Sequence, residues 1–294
     1  MKFGSVENPQ DLDLSLPQDH MDTARVLDKA KDDNIPEIYV GCAKWNKAEL
    51  KGFYPRGTKD ELAYYSQQFN SIELNATFYR VFPAEQFSKW YDKTPDGFKF
   101  FPKIHQEISH WKRLDGVSTV LDHYLTNAIN LKEKLGTIFL QMHSNFAPKD
   151  FDRVVHFVEN WPKEVELAIE FRHTSWYNDE AVANQLYDLL EKNNISNVIV
   201  DTAGRRDLIH MRLTNATAFV RYVGANHESD YSRLDEWVER IKEWKEQGIK
   251  EIDFFIHQNI EKESPLLSAY FIKKINSELG YDLKIPNDDK DTLF

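Results

Sequence analysis

The sequence holds a single cysteine, Cys42, in 294 residues. One thiol cannot close an intramolecular disulfide or build a cysteine metal cluster. Its isolation agrees with a reducing compartment. The N-terminus, Met1-Lys2-Phe3-Gly4, carries no apolar signal core. No uncharged apolar run approaches the roughly 18 residues of a membrane helix. Positive charge is also scarce: 37 Lys and Arg stand against 48 Asp and Glu, a net charge of −11. That balance disfavours a broad duplex-binding face, while one basic groove would still suffice for a nucleic acid. The expectation is a cytoplasmic protein without a membrane partner. Its oligomeric state is left open.

Common catalytic signatures are missing too. The first strand candidate runs into Gly41-Cys42-Ala43-Lys44-Trp45, which is no dinucleotide fingerprint. There is no Gly-x-Ser-x-Gly elbow for a serine nucleophile and no His-Glu-x-x-His metal motif. No cofactor is read from the sequence. A divalent metal on His143, His173 and His257 with Glu73, Glu170 and Asp201 is chemically conceivable, but scattered ligands leave no fixed spacing.

What is present is core material, with 41% hydrophobic and 13% aromatic residues. Short β-branched or aromatic runs mark eight strands: Ile38–Cys42, Ser71–Asn75, Phe98–Lys103, Thr137–Met142, Val165–Phe171, Asn197–Asp201, Ala218–Val223 and Ile252–His257. Their starts recur about every 30 residues, the length of a βαβ unit. Helix signals fill most of the gaps. Thr58 with Glu61 reads as a capping box, and Pro83 opens a helix with Phe87 and Trp90. Ser118 to Leu135 is long and amphipathic, and Pro148 opens the next helix. Asp179 to Lys192 follows, then a helix capped by Ser232 and stopped by Gly248. The last begins near Pro265 and ends at Gly280. Ala203 to Asn215 has room for a short helix only. The pattern predicts an α/β protein, a (β/α)8 TIM-type barrel over 38–294. Residues 1–37 form an N-terminal extension with a short helix over His20 to Lys31. The change of character at Pro36 predicts that the extension can be removed without unfolding the barrel.

In a parallel barrel the ligand site lies at the carboxyl ends of the strands. Those ends carry Lys44 and Trp45; Glu73, Asn75, Tyr79 and Arg80; Lys103 and His105; Gln141 and His143; Glu170, Arg172, His173 and Trp176; Asp201; Arg221; and His257. Charges inside doubly buried strands are costly unless paired. Structural ion pairs such as Glu170 with Arg172 account for single residues, but less well for a whole set gathered at one end. Cations in an acidic protein suggest a site for phosphate or carboxylate, with Glu73, Glu170 and Asp201 as candidate acids or bases. Trp45, Tyr79, Trp111, Trp176 and Tyr177 either cover the mouth by ordinary packing or stack a base or sugar ring.

Four segments carry a resemblance to a known family. They are Phe53-Tyr54-Pro55 with Leu62-Ala63-Tyr64-Tyr65 and Ile72-Glu73-Leu74-Asn75-Ala76-Thr77-Phe78-Tyr79-Arg80; Phe98-Lys99-Phe100 with Lys103 and Ser109-His110; Phe139-Leu140-Gln141; and Ala168-Ile169-Glu170-Phe171-Arg172-His173-Thr174-Ser175-Trp176. The chain resembles the YecE-like family, domain of unknown function 72, from about Tyr39 to Gly280. The resemblance implies a (β/α) barrel and no settled activity. It adds His110 to the candidate binding residues. Comparison of relatives with endonuclease-IV-like barrels makes nucleic acid a candidate ligand by analogy. The chain departs from the family at three places. Gly41-Cys42-Ala43-Lys44-Trp45 replaces Gly-Thr-Ser-Gly-Trp, Gln141-Met142-His143 replaces Gln-x-Pro, and Arg221-Tyr222-Val223-Gly224 lacks the histidine of Arg-x-His-Gly.

Three readings of function follow. The first is a hydrolase-like enzyme on an anionic, phosphate-bearing small molecule, with Lys103, Arg172 and Arg221 holding the anion. The second is a nucleic-acid-binding module without catalysis. The third is a glycosidase with paired carboxylates.

Overall fold

The computed structural model describes residues 4–288; the outermost ends of the expected extension and barrel lie outside them. The described residues form nine strands: β1 (Glu37–Cys42), β2 (Ser71–Leu74), β3 (Lys99–Pro102), β4 (Ile138–Gln141), β5 (Leu167–Glu170), β6 (Ser196–Asn197), β7 (Ile199–Thr202), β8 (Thr217–Gly224) and β9 (Glu251–Gln258). The eight expected runs are all strands, and the sixth is split in two at Val198. All pairings are parallel. One sheet has six strands in the order β3-β2-β1-β9-β8-β7, and the other has three in the order β4-β5-β6. Isolated parallel bridges join Phe100 to Leu135 and Lys103 to Phe139. The fold is thus mixed α/β with parallel sheets.

Among the described residues ten α-helices accompany the strands: α1 (Met21–Ala30), α2 (Glu61–Tyr65), α3 (Ala76–Tyr79), α4 (Ala84–Lys93), α5 (Ser118–Ala128), α6 (Phe151–Glu159), α7 (Ser175–Asn178), α8 (Glu180–Lys192), α9 (Ser229–Gln247) and α10 (Ser264–Leu279). Three expectations need correction. Asp60, not Thr58, caps α2 by accepting from the Ala63 amide. The helix after Ser118 is α-helical only to Ala128, then tightens to a 3-10 turn broken at Lys132. Ser232 lies inside α9, which starts three residues earlier at Ser229.

The strands sort their side chains onto two faces. One face joins the helices in a large core that includes Val40, Ile72, Leu140, Ile169, Val220 and Phe254. The other makes a smaller cluster from strand residues alone: Phe101, Phe139, Ala168, Val198, Val200, Phe219 and Phe255, with Tyr39 beside them. Side chains alternate along a strand. Two residues beyond Phe101, Phe139, Ala168, Phe219 and Phe255 therefore come Lys103, Gln141, Glu170, Arg221 and His257 on that same face. Two residues before Phe255 comes Asp253. The helix-free face has three tiers: an acidic floor, an apolar middle and a charged mouth.

The segment between β7 and β8 supplies only a 3-10 turn over Ala203–Leu208. The N-terminal segment occupies this stretch. Gly4 accepts from the Gly204 amide beside the carboxyl end of β7. Pro17 and Asp19 take hydrogen bonds from Arg240 and Trp244 of α9. In α1, the Thr23 hydroxyl bonds the Met211 carbonyl at 3.1 Å, Arg25 pairs with Glu191 of α8 at 2.7 Å, and Leu27 is fully buried. Gly248, at φ +117°, ends α9 so close to α1 that a Cβ there would come within 2.7 Å of the Leu27 carbonyl. These contacts oppose the expectation of a freely removable appendage.

Candidate functional site

The mouth tier is one connected network. Arg221, on β8, grips Glu73 of β2 with Nε to Oε2 and Nη2 to Oε1, both at 2.8 Å. Its remaining Nη1 donates to Glu170 of β5 at 2.6 Å. One guanidinium thus bridges two buried carboxylates. Each carboxylate has further partners. Asn75 donates to Glu73 at 2.6 Å, and the His257 Nε2 atom lies 3.0 Å from it. Glu170 receives the Gln141 amide at 3.1 and 3.0 Å and the Nε of Arg172. The Gln141 carbonyl in turn accepts from the Lys103 ammonium at 2.9 Å. Lys103 Nζ also sits 4.2 Å from the centre of the Phe78 ring.

This geometry sets the charge states. Burial alone would raise the pKa of Glu73, but Arg221 and His257 outweigh it and hold the group well below the carboxylate range. Burial opposes Arg172 and Arg221 at Glu170 as well, and the arginines win, leaving it at about 2. Both carboxyls are held toward the ionised form, the opposite direction from the raised pKa of a glycosidase acid. Lys103 moves the other way. Burial, then Arg221 and Arg172, bring its ammonium down to about 7. It is the group in the network poised to move a proton.

A cavity of about 680 Å³ adjoins the network, lined by its Arg172, Arg221 and His257 and by Lys44, Lys51 and Lys262, with the acids Glu49 and Glu261 among them. The Arg172 side chain remains 18% exposed. Glu73, Asn75, Lys103, Gln141, Glu170, Arg172 and Arg221 are brought together as the sequence suggests.

Asp201 is not among them. Val200 lies on the helix-free face, so Asp201 points to the other, where it accepts from Arg233 at 2.8 Å and Trp237 at 2.7 Å and pairs with Arg206. Its contacts there are structural, which corrects the catalytic assignment. Trp176 is fully buried, stacked on Phe146 with its indole N–H on the Phe146 carbonyl at 2.7 Å. It has no face for a ligand. Trp45 packs against Trp90. His173 is engaged with the Ser175 hydroxyl at 2.6 Å. His110 packs on Phe78 and His143, and burial followed by Lys103 and His143 lowers its pKa to about 4. Tyr79 is 70% exposed and Trp111 65% exposed; Arg80 lies over Phe82. The histidines considered as metal ligands do not converge. The described residues contain no group of three or more His, Cys, Asp or Glu side chains arranged to hold a metal ion. His257, Lys51 and Lys262 were missing from the sequence-derived binding set. His257 was findable, because it repeats the spacing of Phe219 to Arg221 on its own strand.

The family model described as a protein of unknown function, DUF72, matches residues 39–289. The UPF0759 protein YecE of Escherichia coli is 25% identical over 226 residues, covering 70% of this chain and 82% of that protein. The UPF0759 protein YunF of Bacillus subtilis is 28% identical over 151 residues, covering 48% and 52%. A DUF72 family protein from Thermotoga maritima has a similar crystal structure, with a TM-score of 0.68 and 25% identity over 82% of this chain and 99% of that one. One from Enterococcus faecalis gives 0.66 with 18% identity over 84% and 99%. No helix among the described residues is long and apolar enough to cross a membrane.

Proposed function

The chain belongs to the DUF72 family of proteins of unknown function, and from that premise we propose that it is a (β/α)8-barrel enzyme that takes an anionic substrate into the cavity at its strand ends. Closure into one barrel is supported by two isolated parallel bridges, Phe100 of β3 to Leu135 ahead of β4 and Lys103 just past β3 to Phe139 of β4, and by β6 and β7 following each other across Val198. One observation carries the ligand reading. Three cations, the buried Lys103 and Arg221 and the half-buried Arg172, face two carboxylates, and the two arginines line the cavity. A guanidinium is suited to a phosphate or carboxylate because its planar donors fit paired oxygens. Glu73 and Glu170 orient the cations.

The test has two parts. Calorimetry should show inorganic phosphate or sulfate binding to the native protein, reduced at least about tenfold in Arg172→Ala, as expected for a lost charge-assisted hydrogen bond. A panel of phosphomonoesters and phosphodiesters then reads turnover. No anion binding under any condition would end this reading. The exposed Tyr79 and Trp111 favour a second reading, in which a single-stranded nucleic acid stacks its bases there. In that case oligonucleotide binding would depend on Trp111 and no ester would turn over.

A further inference from the structure

Every charged or titratable neighbour of Lys103 can be named. Glu73 faces it from β2, Glu170 and Arg172 from β5 and the residues after it, and Arg221 from β8. Gln141 on β4 accepts its one side-chain hydrogen bond. His110 lies beside it on the turn after β3, with His143 against that ring. His257 reaches the network through Glu73 and Arg221. His105 stands two residues on, facing Trp111. The rest of its surroundings is aromatic: Phe78 and Phe139 flank the ammonium, and the Tyr124 hydroxyl bonds its backbone carbonyl.

The charges in this enclosure nearly balance. Two guanidiniums stand against two ionised carboxylates, so these four groups balance while the lysine is neutral. Protonating Lys103 leaves one positive charge in excess in a water-poor space, which is unfavourable. An anion above Arg172 and Arg221 reverses that penalty. We propose that the site takes up its anion together with one proton, and that Lys103 is the group that receives the proton. This rests on the anion reading above and adds its regulation: capture becomes weaker as pH rises. It also sorts ligands, since an uncharged ligand gives the lysine no reason to take a proton. Linkage makes the coupling reciprocal, so whatever holds Lys103 charged tightens the anion.

Sulfate is the probe, because its charge is constant across the range. The native protein is titrated calorimetrically near pH ~8 in two buffers of different ionisation enthalpy, and affinity is followed upward in pH. Uptake approaching one proton per sulfate is expected, with affinity falling about tenfold per pH unit above about pH 7. Lys103→Arg holds its charge at every pH, so it should bind sulfate without proton uptake and without the pH slope. Lys103→Met should lose the slope and bind more weakly at low pH. Sulfate binding with no proton uptake and a flat profile in the native protein overturns the proposal while leaving the anion reading intact. Uptake that persists in either variant overturns it as well, by placing the proton elsewhere. No binding at any pH defeats the anion reading itself. The native protein decides the matter even where a variant fails to fold.

Discussion

The two ends of the helix-free strand face handle buried acids in opposite ways. At the mouth, Glu73 and Glu170 are fully buried, and each is held by guanidinium and amide donors. At the floor, Asp253 is equally buried, yet neither of its oxygens is held by a guanidinium or amide donor. Its neighbours are Glu251, Glu166 and Thr137; Glu37 and Lys99 face Glu251. Two carboxyls can bond each other only when a proton lies between them. Burial, then the adjacent Glu251, push the Asp253 carboxyl well up, and burial with Glu166 brings Glu251 to about 7. The mouth keeps its charges by pairing them. The floor sheds charge by keeping a proton. Paired charge that opens onto a cavity can meet a ligand, whereas a shared proton under an aromatic layer can only tune stability.

Cutting the tie between the two ends should have the largest effect. The N-terminal segment starts beside β7 at the mouth and ends in α1 against α8 and α9. A chain starting near Asn34 loses Leu27 from the core and strips partners from Arg212, Arg240 and Trp244. A Leu-to-Ala change at such a site alone costs about 2–5 kcal/mol, so the whole loss should abolish cooperative melting. A truncated protein melting within a few degrees of the full chain would show that the contacts add little.

Next comes the bridging cation. Arg221→Met leaves Glu73 without its paired donors and Glu170 without one of its two guanidiniums. Removing one partner of a buried ion pair costs roughly 3–5 kcal/mol because the stranded charge stays buried. Urea midpoints at neutral pH should show a loss of that size, relieved in Arg221→Met/Glu73→Gln. A loss below about 1 kcal/mol would mean that the mouth is as tolerant as a surface pair.

The floor gives a smaller, pH-dependent effect. The folded state raises the pKa of Glu251 from its ordinary value to about 7. The folded protein therefore binds more protons than the unfolded chain in that window, and stability falls as pH rises from about 4.5 to about 7. Glu251→Gln removes that titrating group and should flatten the profile by on the order of 2 kcal/mol, discounted for its partial exposure, and Asp253→Asn removes the other half of the pair. The mouth has the opposite sign: Lys103, lowered to about 7, makes stability rise with pH between about 7 and its ordinary value. Chemical denaturation at a series of pH values separates the two. An Asp253→Asn profile parallel to the native one would refute the shared proton.

The sequence revealed strand positions better than strand faces. Runs such as Ile38–Cys42 and Ile252–His257 are too apolar and β-branched to be much else. A strand apolar on both faces lacks the alternation that would tell which way its end residue points. Arg221 and Asp201 look alike in sequence, each a charge toward the carboxyl end of an apolar run, yet only Arg221 shares a face with the apolar tier. Trp176 misled for a related reason, since a tryptophan just past a strand end fits a stacking platform and a buried wedge equally well. The N-terminal helix was visible, but its place was not. That depended on the missing helix between β7 and β8, a feature of topology rather than of residues 1–37.

The smallest stability effect should come from Arg172, and it sharpens the contrast within the mouth itself. Arg172 and Arg221 both bond Glu170, so their contacts with that carboxylate alone would rank them alike. Their removal leaves different debts. Without Arg172, Glu170 still has Arg221 at 2.6 Å and the Gln141 amide at 3.1 and 3.0 Å. No buried carboxylate is stranded, and the vacated space joins the cavity above, where water can enter. The cost should be about 1 kcal/mol, the net worth of an ordinary hydrogen bond rather than a broken buried pair. One positive charge also leaves the surroundings of Lys103, so its pKa should rise, which can be read by following its ammonium by NMR. Arg172→Ala should therefore melt within a few degrees of the native protein, while Arg221→Met melts far lower. Equal losses for the two arginines would mean that Arg172 is a structural pillar, and the case for its meeting an anion would fail with that result.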